Sequence, residues 1–201
     1  KWFDWRRSLG PDTEPNGGPS VWETSAFFIR DVSVNIVLPE SQGWFQPNTE
    51  DWTQTEINQV YAEIVQGLNW HILREPNALV TFTYHNYTKV STGYEPINNP
   101  QVNESLWITD IMVNNFSITN NGISHAERVR IFNNNVRIAD GNDGAVTIFV
   151  VDSSNDPDGN FAPNPNGFNY SAYAYLAGPF IVMTYDIGGW GINNMEMITS
   201  H

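Results

Sequence analysis

Apolar residues in this chain fall into short periodic runs separated by Gly, Pro and Asn. Across residues 27–38, Val32, Val34, Ile36 and Leu38 share one side and alternate with Ser33, Asn35 and Val37. A period of two predicts a strand, and Pro39 is expected to end it. The period then changes. Thr53-Gln-Thr-Glu56 is a capping box, in which hydroxyl and carboxylate each satisfy an orphan amide. Ile57, Val60, Tyr61, Ile64 and Leu68 follow at helical spacing, so a helix is predicted from Thr53 to about Trp70. Residues 78–84, rich in β-branched and aromatic types, read as a second strand.

Residues 105–114 predict a short helix burying Leu106, Trp107, Ile111 and Met112. Ser124-His-Ala-Glu127 is a second capping box, opening a helix to about Ile138. Residues 145–151 are almost continuously apolar, as expected of a central strand covered on both faces. Residues 172–176 and 180–185 predict two short strands around Gly178-Pro179. After the turn Gly188-Gly-Trp-Gly191, a last helix begins near Asn193 or Asn194 and carries Met195, Met197 and Ile198. The order β-α-β-α-α-β-β-β-α predicts an α/β fold, a twisted mixed β-sheet with packed helices. Residues 1–25 read as an irregular N-terminal arm anchored by Trp2, Phe3 and Trp5, and residues 26–201 as a single domain. No internal repeat is visible.

Composition narrows the function classes. Among 201 residues there are 9 Lys+Arg against 22 Asp+Glu, a formal charge of -13. That field repels phosphate backbones, which argues against nucleic acid as a partner. No apolar run approaches the length of a membrane span. With no Cys, disulfide scaffolds and thiol chemistry are excluded. Asn occurs 25 times and Lys twice. An acidic, Asn-rich, Lys-poor chain points to an extracellular or cell-surface setting, with any export signal already removed from a chain that starts at Lys1. Sequons at Asn86, Asn103, Asn115 and Asn169 are about as many as this Asn content gives by chance, so they say nothing about glycosylation.

Candidate chemistry is sparse. His71, His85, His125 and His201 include no pair at the i, i+4 spacing of a helical zinc site. His71, His85 and His125 read as surface or cap residues. No nucleophile elbow, phosphate loop or dinucleotide fingerprint is present. The loop Asp152-Ser-Ser-Asn155-Asp156-Pro-Asp158-Gly159-Asn160 groups side-chain oxygens around a glycine turn. It reads either as a calcium loop using Asp152, Asn155, Asp156 and Asp158 or as a polar loop of Asx-turns. Asp140, Asn142 and Asp143 are near enough in sequence to contribute. Glu95, before a proline, is placed to hold a backbone amide. Glu196 falls in the first turn of the last helix, where a carboxylate suits the dipole.

The stretch from Tyr173 to Asp186, then Gly188-Gly-Trp-Gly191, then Met195-Glu-Met-Ile-Thr-Ser-His201, resembles the approach to a zincin active-site helix. Upstream, Trp52-Thr before an amphipathic helix, the Tyr94-Glu-Pro-Ile97 loop and the Phe149-Val-Val-Asp152 strand resemble secreted bacterial zincin-like zinc metallopeptidases. The resemblance covers most of residues 32–201. It implies the N-terminal, upper subdomain of a zincin, with His201 as first zinc ligand of H-E-x-x-H. It also implies an edge strand that pairs with extended peptide, here Tyr173, Tyr175, Ala177 and Gly178. The catalytic Glu and the other ligands of the motif would follow residue 201, so this stretch is expected to be inactive by itself. The alternative expectation is a structural subunit of a surface layer or filament, self-assembling through the aromatic arm. A calcium-dependent adhesion or carbohydrate-binding module is a third reading.

Overall fold

The two capping boxes and the alternating runs set the local structure. A computed structural model of the protein describes residues 30–175 and 178–200. The arm residues Trp2, Phe3 and Trp5, together with Ala177 and His201, lie outside the described residues. Within them the order is β1 (Asp31–Ser41), α1 (Gln54–Arg74), β2 (Thr81–Thr92), α2 (Glu104–Asn114), α3 (His125–Asp140), β3 (Gly144–Val151), β4 (Ala172–Ala174), β5 (Phe180–Thr184) and α4 (Met195–Thr199). The five strands form one mixed sheet in the order β2-β1-β3-β5-β4. All neighbours are parallel except β4, which runs antiparallel to β5. The fold is α/β, as the alternation of elements predicted.

Both capping boxes form. Glu56 N–H donates to Thr53 Oγ1 at 3.3 Å, and Thr53 N–H donates to Glu56 Oε2 at 2.7 Å. Ser124 and Glu127 repeat the exchange at 3.2 and 2.8 Å. Helix α3 ends on Gly141, whose φ of 75° supplies the left-handed turn.

Helices cover both faces of the sheet. On one face α1 and α4 pack against Val32, Val34, Ile36 and Leu38 of β1 and Val146, Ile148 and Val150 of β3. On the other, α2 and α3 cover Val37, Phe149, Val151, Phe180 and Val182, with Trp107 edge-on to Phe149 at 5.3 Å. Strand β3 is buried throughout, as its apolar run required.

Several boundaries differ from expectation, each for a tertiary reason. Strand β1 runs through Pro39 to Ser41. Its pairing with β3 stops at Val37 and its register with β2 shifts between Val37 and Pro39, so the missing N–H falls at an irregularity. Strand β2 begins three residues later and ends eight residues later than predicted, because pairing with β1 carries its polar half. Ala78 instead belongs to a 3₁₀ turn. Helix α1 continues to Arg74. In α2, Ile108 is buried and Leu106 is exposed, which reverses the expected role of Leu106. Strand β4 stops at Ala174. No helix among the described residues is long and apolar enough to cross a membrane.

Candidate functional site

Strand β1 connects outward to β2 on one side, while β3 connects to β5 on the other. Parallel sheets open a crevice at the carboxyl ends of strands where the connections diverge. Three acids converge on that end. Glu50 follows β1, Glu95 follows β2, and Asp152 directly follows β3; all three are at most 5% exposed. Thr49 N–H donates to Glu95 Oε2 at 2.8 Å. Asn155 donates to Glu50 Oε2 through its backbone N–H at 2.8 Å and its Nδ2 at 3.1 Å. Ser154 N–H donates to Asp152 Oδ1 at 3.0 Å, while Asp152 Oδ2 is buried without a partner.

The electrostatics follow from this crowding. Burial pushes the Glu95 carboxyl up to about 7, and the charges of Glu50 and Asp152 add to the rise. Burial also raises Glu50, with Asp152 contributing, and raises Asp152, with Glu56 contributing. Glu95 does hold a backbone amide, as its position before Pro96 suggested. Nothing in the local sequence marks Glu50, because its partners lie more than a hundred residues away.

The loop after β3 divides its candidate ligands. Asp152 and Asn155 turn toward Glu50. Asp156 Oδ1 accepts from the N–H groups of Asp158 and Gly159, and Asp158 Oδ1 accepts from Asn160 N–H at 3.0 Å. These are Asx-turns, which close the loop on its own backbone. Asp158 Oδ2 takes Asn169 Nδ2 at 3.3 Å. The four residues are therefore not brought to one point, and among the described residues no three His, Asp or Glu side chains are grouped to hold a metal. Asp140, Asn142 and Asp143 do not contribute to this loop. They precede β3, so its eight residues, about 26 Å of strand, separate them from Asp152. Asp140 instead accepts from Ser33 Oγ and pairs with His85 Nε2 at 2.7 Å.

The predicted edge strand is an edge. β4 has β5 on one side and no strand on the other among the described residues, with Tyr173 opposite Val182. Tyr173 of β4 and Tyr175, just past its end, both reach Glu104 of α2. Tyr175 Oη donates to Glu104 Oε1 at 2.8 Å and accepts from Gln101 Nε2 at 2.8 Å. His125 Nε2 lies 2.8 Å from the same carboxylate oxygen. Tyr173 packs on Phe161, with ring centroids 5.6 Å apart. Burial, then Glu104, drives both phenols far above the ordinary tyrosine range, so they stay neutral. These side chains anchor β4 to the body. Gly178 N–H donates to Tyr175 O at 2.7 Å, closing the turn that leads into β5.

Beyond β5 the chain reaches α4, which lies on α1. Gly67 permits the approach: a Cβ there would stand 1.9 Å from Thr199 Oγ1 and 2.7 Å from Glu196 O. Glu196 falls in the first turn, as predicted; burial, then the hydrogen bond with Glu196 and its charge, raises the Glu63 carboxyl. No protein-family model, curated protein or solved structure matches this chain.

Proposed function

We propose that the chain forms the substrate-cleft part of an extracellular zincin-like zinc metallopeptidase. The observation that carries the reading is the order of parts at one side of the sheet. An antiparallel edge strand, β4, borders β5, and β5 is followed by a short helix laid on α1 that precedes His201 in the sequence. Such an edge accepts an extended peptide by main-chain hydrogen bonding, and the Tyr175–Glu104–His125 contacts hold it rigid while it does so.

Zinc in such a site supplies Lewis-acid polarisation of a carbonyl and a water of lowered pKa. One imidazole provides one of about three protein ligands that catalytic zinc needs. Among the described residues no three His, Asp or Glu side chains are grouped to hold a metal. In this reading the remaining ligands are those of the H-E-x-x-H motif that His201 would open, and no catalytic step is assigned to residues 1–201. Their roles in this reading are to bind and orient peptide along β4 and to position the helix before His201.

The test is peptide mapping of the protein from its source, paired with zinc content and hydrolysis of an unfolded protein substrate. Glu after His201, a second His three residues further on, and cleavage abolished by a zinc chelator are the expected results. A full-length product lacking that motif, or cleavage indifferent to chelation, overturns the reading.

A further inference from the structure

Asn-Gly occurs twice among the described residues: as Asn121-Gly122 in the turn between α2 and α3, and as Asn166-Gly167 in the loop between β3 and β4. All four residues are exposed, so access to water does not distinguish the pairs. Both glycines hold a positive φ, 78° at Gly122 and 84° at Gly167. The dipeptide carries a chemistry of its own. The backbone nitrogen after an asparagine is a nucleophile within reach of the side-chain amide carbon, and glycine puts no Cβ in the way of its approach.

Hydrogen bonding separates the two pairs. Gly167 N–H donates to Asn164 O at 2.8 Å, and Asn166 Oδ1 accepts from Phe168 N–H at 3.2 Å. The nitrogen that would attack and the amide that would be attacked are each held by another partner. The glycines after Asp140 and Asp158 are held likewise: Gly141 N–H donates to Ile138 O at 3.3 Å and Gly159 N–H to Asp156 Oδ1 at 2.9 Å. At Asn121-Gly122 neither the asparagine side chain nor the glycine N–H bonds to any group among the described residues. A Cβ at Gly122 would find no atom within 4 Å, so the turn stands clear of the body. The loop is tied down on both sides of it, by Ile118, whose carbonyl accepts from Arg128 Nη1, and by Ser124, the N-cap of α3.

We infer that Asn121 is a site of spontaneous deamidation and that the fold protects Asn166 from the same reaction. Hydroxide removes the Gly122 amide proton, and the nitrogen attacks Cγ of Asn121. A bond from Gly122 N to Cγ forms, the bond from Cγ to the side-chain nitrogen breaks, and that nitrogen leaves as ammonia. Water then opens the cyclic imide at either carbonyl, leaving aspartate or isoaspartate at position 121. The product adds one negative charge to the formal -13. It lies three residues before the N-cap of α3, an end of the helix dipole that favours negative charge, so the modified chain stays folded and the product accumulates. The inference is independent of the peptidase reading.

The test incubates the full chain at pH 8 and 37 °C and follows both sites by peptide mapping, with electron-transfer fragmentation to separate aspartate from isoaspartate. A parallel sample is held unfolded in guanidinium chloride. In the folded protein Asn121 should convert at least about five-fold faster than Asn166, because opening of the loop must precede reaction at the second site. In the unfolded chain the two rates should agree within about two-fold. Equal rates in the folded protein, or no conversion at Asn121, overturn the inference. A preference for Asn121 that persists undiminished in the unfolded chain overturns it too, since local sequence rather than the fold would then set the rates.

Discussion

Asn133 sits in the run Asn133-Asn134-Asn135, which reads as a polar helix surface, yet it is fully buried. Its Oδ1 accepts from Thr147 Oγ1 at 2.6 Å and from Asn35 Nδ2 at 3.2 Å, and its Nδ2 donates to Pro179 O at 2.7 Å. One side chain thus ties α3 to β1, β3 and the approach to β5. Asn133→Ala strands several buried polar groups at once and should cost about 3 kcal/mol in urea unfolding. Asn135→Ala, on the exposed side, should stay within about 0.5 kcal/mol. Glu95 gives a prediction in pH. Its folded carboxyl is raised from 4.5 to about 7, so between those values the folded state binds more protons than the unfolded state. Stability is therefore full below pH 4.5 and falls as pH rises through 7, by at most about 3 kcal/mol from this group. Glu95→Gln keeps an oxygen for Thr49 N–H and removes the ionisation. Its advantage over the natural protein should grow from pH 5 to pH 8; parallel Tm–pH curves would refute this account.

At the scale of elements, helix propensity and packing make opposite demands at Gly67. Ala is favoured over Gly in a helix interior by about 1 kcal/mol. The new methyl would nevertheless meet the side chain of Thr199 and the backbone of Glu196. Packing should win: Gly67→Ala is expected to destabilise by about 2 kcal/mol and to speed amide exchange in α4, read by hydrogen-exchange mass spectrometry. Strand β4 is three residues long and bonded on one side, so its order depends on the anchor below it. Tyr175→Phe removes the donor to Glu104 while keeping the ring. Exchange at residues 172–174 should rise several-fold with the global melt shifted by less than about 3 °C. Unaltered exchange there would mean that pairing with β5 alone holds the strand.

The whole molecule carries its charge unevenly. Acids crowd the carboxyl end of the sheet, where Glu40, Glu50, Glu95 and Asp152 all have raised carboxyls, with burial first among the causes. With a formal charge of -13, self-repulsion opposes the compact state and salt screens it. Raising sodium chloride from 0.02 to 0.5 M at pH 8 should therefore raise Tm by several degrees, and by less at pH 5, where more carboxyls hold protons. A salt-independent Tm at pH 8 would place the charges too far apart to matter.

Much of the architecture is written locally. A period-two run placed β1, the two capping boxes set the starts of α1 and α3 within one residue, a continuous apolar run marked β3 as the buried centre, and β5 was legible as a short strand after Gly178-Pro179. These signals are legible because each depends on residues within a few positions of one another. Sequence order also fixed the α/β class. It could not fix what depends on distant partners. Pairing with β1 made a strand of the polar residues 85–92. Packing exchanged Leu106 for Ile108 as the buried member of α2. Side chains that read as a calcium loop divided between Glu50 and the loop's own amides. The acids Glu50, Glu95 and Asp152 stand 45 and 57 residues apart along the chain, and only the parallel pairing of β1 with β2 and β3 brings their strand ends together. Periodicity decides which face of an element is apolar; which polar groups then meet across the sheet is settled by the fold alone.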